Sequence, residues 1–120
     1  MARVLLIDDT PEIAELLTFA LRDLGYEVSA CGFTPSVNEL LEAEPADALV
    51  LDCTSYDMSD AVFESVRSSP DHAQLPVVII SDTPEAAAAK LHARQAQRVL
   101  LVPKPFTGRQ VAAALAQLLA

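Results

Sequence analysis

The amino-acid sequence predicts an α/β fold: a doubly wound parallel sheet of five strands covered on both faces by five helices. Three observations carry this reading. Short apolar runs recur five times at regular intervals, and the stretches between them repeat apolar residues at the three-and-four spacing of a helix. Strand and helix alternate throughout, the pattern that right-handed crossovers convert into a doubly wound sheet.

The first run is Val4 to Ile7. Thr10-Pro11 then places a side-chain cap before a proline that needs no amide hydrogen, opening a helix. Its apolar stripe is Ile13, Leu16, Leu17, Ala20, Leu21 and Leu24, and Gly25 ends it where a left-handed residue is required. The second run, Tyr26 to Cys31, alternates Glu27 and Ser29 with Val28 and Ala30, which assigns it to a sheet edge; the other four runs are nearly continuously apolar. Thr34-Pro35 opens the second helix, with Val37, Leu40 and Leu41 as its buried stripe. Ala48 to Leu51 forms the third strand, and Val62, Phe63 and Val66 mark the third helix. After the fourth strand, Val77 to Ile80, Thr83-Pro84 starts a helix over Glu85 to Arg94 that is mostly alanine around Leu91. Its propensity is high but its buried anchor is thin, so it is the helix expected to shift most readily. Val99 to Val102 is the last strand, and Thr107 with Gln110 forms a capping box before the stripe Val111, Leu115, Leu118 and Leu119.

At 120 residues the chain is read as one domain, residues 1–120, with a single regulatory role and no output domain within it. Its effect is therefore expected on another protein or through self-association. Eight Lys and Arg against seventeen Asp and Glu leave a net charge of −9, which opposes direct binding to nucleic-acid phosphates or anionic lipid. No apolar run approaches the roughly 18 residues of a membrane span, and Asp8 and Asp9 interrupt the first run before any cleavage-site pattern, so a cytoplasmic location is expected. Cys31 and Cys53 lack the spacing of a zinc site and are read as free thiols.

In a doubly wound sheet, ligands bind beyond the carboxyl ends of the strands. Asp8, Asp9, Asp52, Ser81 and Lys104 all fall at that rim. Three carboxylates gathered there repel one another, so positive charge must sit among them. Lys104 supplies one charge, and a hard, oxygen-preferring divalent cation, Mg²⁺ being the natural candidate, supplies the rest. With that screening one carboxylate can attack phosphorus and give an acyl phosphate, whose oxygens need a cation, an ammonium and a hydroxyl donor. Asp9, Asp52, Lys104 and Ser81 match those needs.

The acidic pair in Leu6-Ile7-Asp8-Asp9, the aspartate in Leu49-Val50-Leu51-Asp52, the hydroxyl in Val78-Ile79-Ile80-Ser81, and Lys104-Pro105-Phe106 resemble, in order and interval, the five-residue site of response regulator receiver domains. The likeness covers the whole chain. It implies a flavodoxin-like sheet of order 2-1-3-4-5. It also implies Asp52 as phosphoacceptor from a sensor histidine kinase, a phosphotransfer protein or a small phosphodonor. Asp8, Asp9, Asp52 and the backbone carbonyl of Thr54 would hold Mg²⁺. Ser81 would bond a phosphoryl oxygen, Lys104 would pair with Asp52 or with the phosphate, and the Lys104–Pro105 bond would be cis. Such a protein is a regulator that assists its own phosphorylation and dephosphorylation rather than an enzyme. It signals to a downstream protein through the face of the fourth helix, fifth strand and fifth helix, which could also form a homodimer.

The sequence departs from that pattern in three places. The loop after Asp52, Cys53-Thr54-Ser55-Tyr56-Asp57-Met58-Ser59-Asp60, lacks the usual proline and glycine, which bears on the Thr54 carbonyl. Asp82 follows Ser81 where the family has a very small residue, placing a fourth carboxylate where it could repel a phosphoryl group or compete for Lys104. Leu101 stands where the family has a switching aromatic, and neither Tyr26 nor Tyr56 occupies that position. These departures motivate an alternative, a receiver-shaped interaction module that works without phosphorylation. A flavin carrier would need a glycine-rich cradle after the first strand, and Asp8-Asp9-Thr10-Pro11 has none. Haloacid-dehalogenase-type phosphatases separate their two aspartates by one residue, whereas here they are adjacent. His72 and His92 fall in surface stretches away from the rim.

Overall fold

The structure is a computed structural model and describes residues 2–120. In chain order the elements are β1 (Arg3–Asp8), α1 (Pro11–Asp23), β2 (Glu27–Cys31), α2 (Val37–Ala43), β3 (Ala48–Asp52), α3 (Tyr56–Ser68), β4 (Val77–Ser81), α4 (Pro84–Ala93), β5 (Val99–Pro103) and α5 (Gly108–Leu119). The strands form one sheet of order β2-β1-β3-β4-β5, with every neighbouring pair parallel. This is the flavodoxin-like arrangement expected, with β2 at an edge.

Side chains alternate across the sheet and divide the interior in two. Leu5, Ile7, Leu49, Leu51, Val77 and Ile79 pack under α2, α3 and α4. Val4, Leu6, Val50, Val78, Ile80 and Val102 pack under α1 and α5. Because β1, β3 and β4 are covered on both sides, their sequences read as unbroken apolar runs.

The helix stripes were too generous. On α1 only Leu17 and Leu21 are buried, while Leu16 is 63% and Leu24 52% exposed. On α2 Val37 and Leu41 are buried but Leu40 faces outward. A helix lying on a sheet buries a narrow arc, and a neighbour one position on is turned about 100° away.

Capping also differs in part. Thr34 does not cap α2; Ser36 holds that position, and its amide donates to Thr34 Oγ1 at 3.1 Å in a preceding turn. Thr10 and Thr83 do sit at the N-caps of α1 and α4, yet neither side chain bonds a first-turn amide. Ser55 caps α3 by accepting from the Met58 amide, which the sequence reading did not anticipate. The capping box on α5 is present as expected, with Gln110 N donating to Thr107 Oγ1 and Thr107 N to Gln110 Oε1. Gly25 takes φ +98° after α1, with Gly25 N bonded to Arg22 O and Tyr26 N to Leu21 O, a left-handed helix stop.

The first turn of α5 lies hard against α1: a Cβ at Gly108 would stand 2.6 Å from the Ala20 Cβ. Gly108→Ala should destabilise the fold by about 1–3 kcal/mol through overpacking. Urea unfolding of Gly108→Ala, Ala20→Gly and the double variant checks this. The double should be more stable than the sum of the two single losses allows; strict additivity would place the strain elsewhere.

Candidate functional site

Parallel register assembles the rim. Asp8, the last residue of β1, sits directly opposite Asp52, the last residue of β3. Both are buried, at 4% and 3% exposure, and Ser81, the last residue of β4, is buried too. Lys104 follows β5, and its amide donates to Ser81 O at 2.8 Å, tying the last loop to β4. The Lys104–Pro105 bond is cis, as expected. Lys104 Nζ lies 3.0 Å from Asp52 Oδ1. That contact pairs the buried carboxylate with an ammonium.

The remaining contacts are local. Thr10 N donates to Asp8 Oδ1 at 2.8 Å, leaving Asp8 Oδ2 buried and unpartnered. Asp9 Oδ2 accepts from Thr54 N at 2.9 Å and also from Thr54 Oγ1. Ser81 Oγ accepts from Thr83 N at 3.0 Å and lies 3.3 Å from Thr83 Oγ1. Thr54 and Thr83, each two residues past a rim residue, are read from the sequence as a carbonyl ligand and a helix cap, and their hydroxyl contacts with Asp9 and Ser81 are not anticipated there. The recurrence of a hydroxyl two residues beyond a strand end, which favours a local side-chain turn, was the available signal.

Electrostatics separate the two adjacent acids. Burial, reinforced by Asp52 and Asp9 and only partly offset by the Thr10 amide, pushes Asp8 up to about 7. Burial also raises Asp9, but the two bonds from Thr54, aided by Lys104, outweigh it and hold Asp9 below the usual carboxylate value.

The donor set is consistent with a hard cation. Buried carboxylates of Asp8 and Asp52 stand opposite each other on adjacent strands, Asp8 Oδ2 has no hydrogen-bond partner, and Asp9 is close enough to raise Asp8. Among the described residues no three acidic, histidine or cysteine side chains are already gathered around a metal position. Carboxylate oxygens are the ligands that a hard cation such as Mg²⁺ takes, with water completing its shell.

Asp82 is exposed, and Thr83 rather than Asp82 holds the cap position of α4. Leu101 is partly buried against the core under α2, α3 and α4. Cys31 and Cys53 are free thiols, and burial pushes both upward. His72 bonds Asn38 Oδ1 at 2.8 Å ahead of β4, and His92 is exposed on α4.

Residues 4–116 match the family profile of the response regulator receiver domain. The probable transcriptional regulatory protein TcrX of Mycobacterium tuberculosis is 31% identical over 117 residues, which cover 97% of this chain and 49% of TcrX. The chain thus spans about half the length of that relative. Protein Rrf1 of Nitratidesulfovibrio vulgaris is 29% identical over 106 residues, 88% of this chain and 73% of Rrf1. Among solved structures, the chemotaxis response regulator CheY4 of Vibrio cholerae superposes with a TM-score of 0.78 at 20% identity, covering 98% of both chains. The receiver domain of sensor histidine kinase PA1611 from Pseudomonas aeruginosa, described with a magnesium ion coordinated in its active site cleft, gives 0.79 at 17% identity over 98% of this chain and 97% of that one. At these identities the structural likenesses establish the fold.

The Asp8 shift carries a sign. Its folded pKa of about 7 exceeds the ordinary 3.8, so the folded state holds more protons between those values. Its contribution to stability is whole below pH about 4 and is lost as pH rises through about 7. In EDTA, Asp8→Asn should therefore be more stable than wild type at pH 8, by a few kcal/mol, with the advantage fading toward pH 4. Urea titrations across that range check it, and an advantage independent of pH would contradict the assignment.

Proposed function

This chain belongs to the response regulator receiver domain family, and from that membership we propose that residues 1–120 form one receiver domain that accepts a phosphoryl group on Asp52. Receiver domains of this family are regulators in two-component signalling rather than typical enzymes. The observation that carries the finer reading is Asp52 itself: a carboxylate 3% exposed at a strand end, with Lys104 Nζ 3.0 Å from its Oδ1. A buried carboxylate paired with a single ammonium is a nucleophile with its charge compensated and little water around it.

In the proposed step an Asp52 oxygen attacks phosphorus, the phosphorus–nitrogen bond of a phosphohistidine breaks, and the imidazole leaves with the electron pair. The histidine belongs to a sensor kinase or a phosphotransfer protein, and a small acyl phosphate can replace it. Lys104 passes from Asp52 to the phosphoryl oxygens, and Ser81 donates its hydroxyl to one of them. Asp8, Asp9, Asp52 and the Thr54 carbonyl would hold Mg²⁺, which supplies charge neutralisation on the transferring oxygens. The same residues would assist hydrolysis of the acyl phosphate.

The downstream partner is proposed to be a protein. With a net charge of −9, direct nucleic-acid contact is disfavoured. No helix among the described residues is long and apolar enough to cross a membrane, and a cytoplasmic setting is part of the proposal. Grooves of about 380 and 340 Å³ flank edge strand β5 on its α4 and α5 sides and share Leu100 and Leu101. This face would bind the target or a second copy of the chain. Leu101, partly buried against the core and lacking a ring or hydroxyl, favours a second reading in which the same face binds partners without phosphotransfer.

Incubation with acetyl phosphate and Mg²⁺ followed by intact-mass measurement separates the two. One phosphoryl increment is expected on wild type, abolished by EDTA and absent in Asp52→Asn. No increment on wild type, or an undiminished one in Asp52→Asn, would overturn the phosphoacceptor reading in favour of the second.

A further inference from the structure

Helix α4 has little to hold it by apolar contact: of its residues only Ala87 and Leu91 are buried. Helix α3 presents Tyr56, Asp57, Asp60 and Glu64 at helical spacing, and α4 answers with Lys90 and, at its C-cap, Arg94. Arg94 grips Asp60 with both prongs, Nη1 to Oδ1 at 2.9 Å and Nη2 to Oδ2 at 2.9 Å, and reaches Glu64 at 3.7 Å. The Asp60 side chain is only 14% exposed, and Tyr56 OH donates to its Oδ1 at 3.3 Å. Burial and the neighbouring Asp60 push the Tyr56 phenol up to about 12. Lys90 sits over the Tyr56 ring at 5.6 Å and pairs with Asp57 at 3.5 Å, an exposed contact of small weight. The two-pronged, partly buried pair dominates.

This clasp begins four residues after Asp52. Thr54 is bonded to Asp9 through its amide and hydroxyl, Ser55 caps α3, and the first turns of α3 carry Asp57 and Asp60. We propose that the Asp60–Arg94 pair is the latch that fixes the position of α4. In this chain, where Leu101 offers no switching aromatic, it is also the link that carries rearrangement of the β3–α3 loop to α4. The second half rests on the reading of Asp52 as phosphoacceptor; the first does not.

Amide hydrogen exchange on the full chain tests both halves. Asp60→Asn and Arg94→Gln should each accelerate exchange in residues 86–94 by about tenfold or more, with β1, β3 and β4 amides unchanged, and the double variant should go no further than either single. Arg94→Lys, which keeps the charge and loses the fork, should fall between. Unchanged α4 exchange, or effects that simply add, would overturn the latch.

With fluoroberyllate and Mg²⁺, wild type should alter exchange both in residues 56–60 and in α4. Arg94→Gln should bind the adduct equally and respond only in residues 56–60. An equal α4 response in Arg94→Gln would overturn the link. No wild-type adduct would strike the Asp52 reading, and the link with it, while the first measurement still decides the latch.

Discussion

The structure turns on two carboxylates that parallel pairing forces side by side. Register sets Asp8 opposite Asp52, both are withdrawn from water, and one lysine faces them. Both residues occupy the last positions of adjacent strands, β3 buried throughout and β1 beyond its first residue. Asp8 is raised to about 7, Lys104 pairs with Asp52, and a threonine draws Asp9 onto the β3–α3 loop. Such a cluster lowers stability, and its presence is the mark of a site kept for chemistry.

The rest of the fold makes that cluster tolerable. Strands β1, β3 and β4 are covered on both faces, and the cores on either side hold the strand ends at one level. Helices α1 and α5 approach so closely that no methyl fits at Gly108. On the other face α4 is held by two buried side chains and a charged fork to α3. Rigidity on one side and a polar attachment on the other suit a protein that must keep its rim fixed while presenting a face that can change.

Much of this was legible in the sequence because polar residues interrupt apolar runs at the strand ends. Asp8, Asp52 and Ser81 were found where unbroken hydrophobic segments stop, and Lys104 by its distance beyond the last one. Helix faces were read less well: Leu16, Leu24 and Leu40 fit an apolar period, yet curvature of the contact leaves them outside. Thr34 looked like a cap, but α2 begins at Val37 and Ser36 holds the cap position. The Asp60–Arg94 pair was invisible, since two residues thirty-four positions apart on helices with separate periods carry no local signature of meeting.

The claim beneath all of this is that the rim is one cation-responsive unit. Titration of the ¹⁵N-labelled protein with Mg²⁺, followed by amide chemical shifts, tests it most directly. Saturable changes confined to residues 8–10, 52–54, 81–83 and 104 are predicted. Changes that fail to saturate, or that scatter over exposed acids such as Glu12, Glu39 and Glu85, would contradict it.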